Sequence, residues 1–99
     1  MVKVEYTGMF YRHLEELLTE SEGLQEEIDK RILWFRKNPE DTRLGVHVLH
    51  KRMKGKWAIE VTDNIRIVFE WIGKTTARFL AIGGHEQVYK KYSKTESVA

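Results

Sequence analysis

The chain has no cysteine, a single proline and no stretch that approaches the ~20 apolar residues of a membrane-spanning helix. Without cysteine there is no disulfide framework and no thiolate metal site, a usage that fits a reducing compartment. Histidine is scarce too, at four, and its spacing argues against the common metal motifs. His47 and His50 stand three apart on an expected strand, so they point to opposite faces and do not share an ion. His85-Glu86-Gln87-Val88-Tyr89 carries Tyr89 where the zinc-protease motif has its second histidine. Gly73-Lys74-Thr75 ends like a phosphate-binding P-loop, but Val68 stands where that loop opens on glycine, and a strand follows instead of a helix. Met1 to Tyr6 is short and mixed in charge, without the apolar core of a secretory leader. The expectation is a soluble, cytoplasmic protein, not associated with a membrane, that works without a metal or a small-molecule cofactor.

What is present suffices for one small domain over residues 1–99, with about 93–99 a flexible tail. Ninety-nine residues at 41% hydrophobic and 11% aromatic content can build one core without a covalent staple. The formal charge is only +2, but it is divided. Residues 1–42 hold six basic and ten acidic side chains, a balance of −4, while 43–99 hold eleven and five, a balance of +6. Residues 43–56 contain Arg43, Lys51, Arg52, Lys54 and Lys56 with no acid at all. Such a stretch is what phosphates attract, although a solvated loop has the same composition.

Along the chain, Val2, Val4 and Tyr6 alternate with Lys3 and Glu5 as in a half-buried strand. Phe10, Leu14, Leu17 and Leu18 then fall on one helical stripe, with His13 read as an exposed bystander. Thr19-Glu20-Ser21-Glu22 has the spacing of a capping box, which predicts the first helix ending near Thr19 and a second beginning there. Leu24, Ile28, Ile32 and Phe35, widened by Leu33 and Trp34, form the second stripe, which stops at Asn38-Pro39. After Thr42 the period changes to two. Trp57, Ile59 and Val61 alternate with Ala58, Glu60 and Thr62, and Ile65, Ile67, Phe69 and Trp71 with Arg66, Val68 and Glu70. A three-residue turn, Asp63-Asn64-Ile65, keeps the faces matched by pairing Val61 with Ile67, Ile59 with Phe69 and Trp57 with Trp71. It sets Arg66 opposite Thr62 and beside Glu60, away from the helices. Phe79-Leu80-Ala81-Ile82 is apolar without alternation, as a central strand covered on both faces would be. The fold class is α+β: a strand, an antiparallel two-helix hairpin, then an antiparallel meander with the helices on one face.

His47, Arg66, His85 and Tyr89 are the side chains with chemistry to offer. Cleaving RNA without a metal requires a base for the 2′-hydroxyl proton, an acid for the departing 5′-oxygen and a fixed cation for charge growing on phosphorus. Histidine titrates near neutrality and serves as either base or acid, and arginine keeps a forked, permanent charge suited to phosphate. The plainer alternative pairs Arg66 with Glu60 across the sheet and leaves His47 and Tyr89 as packing residues. Spacing alone leaves both readings open.

The order His47-x-Leu49, Gly55-x-Trp57, Val61-Thr62-Asp63-Asn64-x-Arg66-Ile67-Val68-Phe69, Ile82-Gly83-x-His85-x-x-x-Tyr89 resembles the RelE/ParE superfamily of type II toxin–antitoxin toxins, in particular its YafQ-like and RelE-like mRNA interferases. The resemblance spans nearly the whole chain. It implies a RelE-like fold and a ribosome-dependent endoribonuclease that cuts mRNA in the decoding (A) site of the 30S subunit, with a cognate antitoxin protein as partner. It further implies His47 as general base, Arg66 on the scissile phosphate, His85 as general acid, and Tyr89 stacking on a base or orienting His85. Lys51, Arg52, Lys54, Lys56 and Arg78 are implied RNA-backbone contacts. The chain departs from the pattern in three places. Ile82-Gly83-Gly84 stands where some relatives have a second arginine, Glu60 stands about where YafQ-like members have a histidine, and Asn64 stands near where they have an aspartate, with Asp63 one position off. Two rival readings are a ParE-like inhibitor of DNA gyrase, which needs no acid–base pair, and a catalytically silent relative that only binds an antitoxin.

Overall fold

The computed structural model describes residues 1–84 and Val88. Strand β1 (Lys3–Tyr6) leads into helices α1 (Gly8–Glu20) and α2 (Leu24–Lys37), followed by β2 (His47–Val48), β3 (Trp57–Glu60), β4 (Ile65–Trp71) and β5 (Thr76–Gly84). Short 3₁₀ turns at Thr42–Leu44 and Lys51–Met53 flank β2. The expected 93–99 tail, His85 and Tyr89 lie outside the described residues.

The five strands lie in the order β1-β5-β4-β3-β2. The meander is antiparallel as expected, but the sheet as a whole is mixed, because β1 runs parallel to β5 with Lys3 opposite Thr76 and Tyr6 opposite Phe79. The helical hairpin supplies the crossover that a parallel neighbour requires.

Thr7 starts α1: its hydroxyl accepts from the Phe10 N–H at 3.1 Å and donates to the Leu80 carbonyl at 2.9 Å. The anticipated capping box at Thr19 does not form. The Thr19 hydroxyl donates back to the Glu16 carbonyl at 2.7 Å, α1 runs on to Glu20, and α2 starts after Gly23, whose φ of 82° places it in the left-handed region. The two apolar stripes bury Phe10, Ile28 and Phe35 against Ile59, Val61, Ile67, Phe69, Phe79 and Ile82 on one face of the sheet. The Phe35 ring sits 5.0 Å from Phe69, 5.4 Å from Phe79 and 5.7 Å from Trp71. Each such ring, fully removed from water, contributes on the order of 2–3 kcal/mol. Leu33, expected on this stripe, stays exposed.

The β3–β4 connection has three residues, but they are Thr62-Asp63-Asn64. Ile59 pairs with Ile67, Trp57 with Phe69 and Glu60 with Arg66. The partners on β4 are two residues earlier than expected, and because two residues is one full pleat, each side chain keeps its predicted face. The Thr62 hydroxyl causes the difference. It accepts from Asn64 N–H at 3.3 Å and Ile65 N–H at 3.0 Å, drawing Thr62 into the turn and releasing Ile65 to bond with Val61.

Between β4 and β5 the register shifts: Val68 faces Ala81 while Phe69 faces Phe79, so Leu80 is an extra, bulged residue. The bulge rotates the rest of β5. Leu80 and Ala81 join Val68, Met53 and Val88 in a second apolar cluster, flanked by Met9 and Leu49, on the face away from the main core. β5 is therefore covered on both sides, as its unbroken apolar run suggested.

Candidate functional site

The face of the sheet away from the helices has three zones. At one end Arg78 lies between Glu5 and Glu70, 3.5 Å from each. The middle is closed by the second apolar cluster. At the other end β3 and β4 bring Glu60 and Arg66 directly opposite each other, with Gly83 of β5 opposite Arg66 on its other side.

Arg66 is held rather than free. Its Nη1 donates to the carbonyls of Thr62 at 2.6 Å, Asp63 at 3.0 Å and Ile65 at 3.3 Å, and its Nη2 lies 3.4 Å from Glu60 Oε1. The turn that displaced the register is thus the cradle of the guanidinium. The side chain is only 13% exposed, against 47% for Glu60, so the arginine is fixed while its carboxylate partner borders solvent.

His47 pairs with Ala58, and its side chain lies on the same face as Glu60 and Arg66. Two strand spacings and two residues of offset put its Cα about 12 Å from that of Arg66, with Glu60 on the strand between them. His47 Nδ1 stands 2.8 Å from the Gly45 carbonyl. A carbonyl only accepts, so Nδ1 carries the proton, and in the neutral ring Nε2 is the nitrogen with the lone pair. Gly45 has a φ of +57°, and a Cβ there would run into Glu60 Oε2, so this glycine lets β2 close down on the carboxylate.

The segment carrying His47 is tied to the helices. Arg31 of α2 donates from Nη1 to the Arg43 carbonyl at 2.5 Å and the Glu60 carbonyl at 3.2 Å, while Glu27 holds its Nε at 2.9 Å. The Arg43 guanidinium stacks 3.7 Å from the centre of the Trp34 ring and pairs with Asp41 at 2.7 Å. That hydrogen bond holds the Asp41 carboxyl down at about 2, and Lys30 and Arg31 lower Glu27 in the same way. Beyond β2, Met53 plugs into the second cluster and anchors the basic turn with Lys51, Arg52, Lys54 and Lys56 around it. Lys51 adopts a positive φ of 58° to make that turn.

Solved structures with this arrangement of elements exist. The chain superposes on YafQ from E. coli with a TM-score of 0.74 at 16% identity, covering 90% of this chain and 99% of that one. It superposes equally on a metal-bound toxin from Helicobacter pylori, TM-score 0.74 at 19% identity over 89% and 99% of the two chains. A YoeB/ParE toxin from Agrobacterium tumefaciens gives 0.70 at 19% identity over 84% and 98%. The chain has the RelE/ParE toxin fold. At these identities the likeness is one of fold. YafQ also matches in its toxin–antitoxin complex with DinJ. No protein-family model and no curated protein matches the sequence.

On this RelE/ParE frame the described residues bring His47 and Arg66 to one end of one face, with Lys51, Arg52, Lys54 and Lys56 on the turn that follows His47. Arg78 is set apart, five residues and about 16 Å along β5 from the glycine opposite Arg66. His85 follows Gly83-Gly84 directly in sequence and Tyr89 comes four residues later, and both lie outside the described residues. His13 is half-buried, not exposed: it lines a small cavity of about 70 Å³ with Glu16, Leu17, Glu20, Ile82, Gly83 and Val88. The sequence pattern did not single out Gly45, which shapes the site, and it placed Glu60 beside Arg66 without making it part of the site. The legible signal was a glycine two positions before a candidate base, at a bend between two regular elements. Among the described residues no helix is long and apolar enough to cross a membrane.

Proposed function

We propose that this chain is the toxin of a type II toxin–antitoxin pair: a metal-independent, ribosome-dependent endoribonuclease that cleaves mRNA in the cytoplasm and is silenced by a cognate antitoxin. The observation that carries the reading is the pinned guanidinium of Arg66 on the same face as His47, whose Nδ1 is engaged by the Gly45 carbonyl. The Arg66–Glu60 pair of the plainer reading does form, and what favours a site over a purely structural pair is the exposed His47 on the same face.

In this reading the scissile phosphate sits between His47 and Arg66. His47 Nε2 takes the proton from the 2′-hydroxyl, the 2′-oxygen attacks phosphorus, and the P–O5′ bond breaks to leave a 2′,3′-cyclic phosphate. His85 protonates the departing 5′-oxygen, and Tyr89 stacks on a base or orients His85. Arg66 stabilises the extra charge on the phosphoryl oxygens. Its geometry is set beforehand by three backbone carbonyls, so little reorganisation accompanies the reaction. Lys51, Arg52, Lys54, Lys56 and Arg78 hold RNA backbone by charge, within mRNA or the 30S A site.

The test is brief induced expression in a bacterial host, with primer extension on an abundant transcript, comparing the native chain with Arg66→Ala and His85→Ala. New 5′ ends within translated codons are expected from the native chain, reduced about 100-fold or more in either variant. Arrested growth with intact transcripts would overturn the nuclease reading in favour of a gyrase-type target. Intact transcripts with normal growth would leave only an antitoxin-binding protein.

A further inference from the structure

Arg66 already has an anion. Both hydrogens of its Nη1 are committed to the Thr62, Asp63 and Ile65 carbonyls, while the Glu60 carboxylate stands 3.4 Å from Nη2. With Nη1 spent, a phosphate is left with Nη2 and Nε for a forked pair of hydrogen bonds, and the carboxylate lies against the first of these. The two partners are not equally fixed. Arg66 is anchored by backbone and nearly covered, whereas Glu60 is half-exposed and its second oxygen, Oε2, rests over Gly45, where the lack of a side chain leaves room for it.

The geometry points to Glu60 as an internal competitor of the substrate phosphate: its carboxylate fills the anion position on Arg66 in the free protein and swings out when a phosphodiester takes its place. Glu60 is thus a positioning residue that acts through Arg66. It keeps the guanidinium aimed at the open face while the site is empty, and it raises the concentration of RNA needed to fill the site. The inference rests on the reading above that Arg66 binds phosphate. The exchange is small in energy, since one ion pair at Arg66 is given up for another and the half-exposed Glu60 regains water, and a two- to fivefold effect on affinity is roughly what pairs bordering solvent yield.

Four chains separate the outcomes: native, Glu60→Gln, Arg66→Ala and the double variant. Each is titrated with a 2′-O-methyl RNA oligonucleotide, which cannot undergo 2′-attack, after thermal melting has shown that all four fold. Glutamine keeps the shape of Glu60 and removes its charge. The expected result is that Glu60→Gln binds the oligonucleotide roughly two- to fivefold more tightly than the native chain, and that the gain disappears when Arg66 is alanine. An equal gain in the Arg66→Ala background would mean simple repulsion between Glu60 and RNA, and would overturn the inference. Unchanged or weaker binding by Glu60→Gln would overturn it too. If Arg66→Ala binds as well as the native chain, the phosphate role of Arg66 fails, and the parent reading falls together with this one. A Glu60→Asp chain, whose shorter arm retains the charge, should bind closer to the native chain than Glu60→Gln does.

Discussion

The two faces of the sheet are built on different terms. Toward the helices, Ile59, Val61, Ile67, Phe69, Phe79 and Ile82 form one continuous apolar layer with Phe10, Ile28 and Phe35, and no charge interrupts it. On the other face a short apolar patch around Val68 and Ala81 separates two charged ends, Glu5–Arg78–Glu70 and Glu60–Arg66. A face that is apolar throughout carries the stability of a small chain. The opposite face, relieved of most of that task, can hold an anchored guanidinium beside solvent.

The contrast can be broken by substitution. Phe35→Ala, which empties the place where four aromatic rings meet, should cost about 3–5 kcal/mol of unfolding free energy in a urea titration. Met53→Ala removes the plug of the opposite patch and should cost about 2 kcal/mol. It should also loosen the Lys51–Met53 turn, read as faster proteolysis there than in the native chain. Equal losses from the two variants would show that both faces carry the fold. The smallest effect belongs to the Asp41–Arg43 pair. Because folding holds the Asp41 carboxyl at about 2, below its ordinary 3.8, the pair contributes stability above the ordinary value that is lost as pH falls toward about 2. The urea midpoint of the native chain should therefore exceed that of Asp41→Asn near neutral pH, with the difference shrinking below the ordinary 3.8 and lost as pH falls through about 2. A difference independent of pH would remove the ion pair as its cause.

Much of this was readable from the chain, and the failures share a cause. The helical stripes, the strands and the face of each meander residue follow from periodicity, which is a local property. Where a side chain competed with the backbone, pattern alone misled: the Thr62 hydroxyl moved the β4 register, and Thr19 bonded back into its own helix instead of capping the next. The Leu80 bulge was invisible because nothing within Phe79-Leu80-Ala81-Ile82 distinguishes a bulged residue. What fastens its carbonyl is Thr7, distant in sequence. At the site, alternation put Arg66 on the face away from the helices, while His47 joins it there through the pairing of β2 with β3. That Gly45 admits the Glu60 carboxylate depends on two segments meeting in space, which no spacing rule records.

The parallel pairing of β1 with β5 bears on how the molecule assembles. Lys3 waits for Thr76, and Tyr6 for Phe79, so the first strand made is among the last to find its partner. The β3–β4–β5 meander and the helical hairpin involve near neighbours and can form early, whereas closure of β1 joins ends separated by most of the chain and is slowed by the entropy of that loop. Thr7 links the events: its hydroxyl reaches the Leu80 carbonyl, and it has that acceptor only after β5 exists. The sheet is thus completed by residues far apart in the chain, and a chain cut short before residue 76 lacks the β5 partner of its first strand.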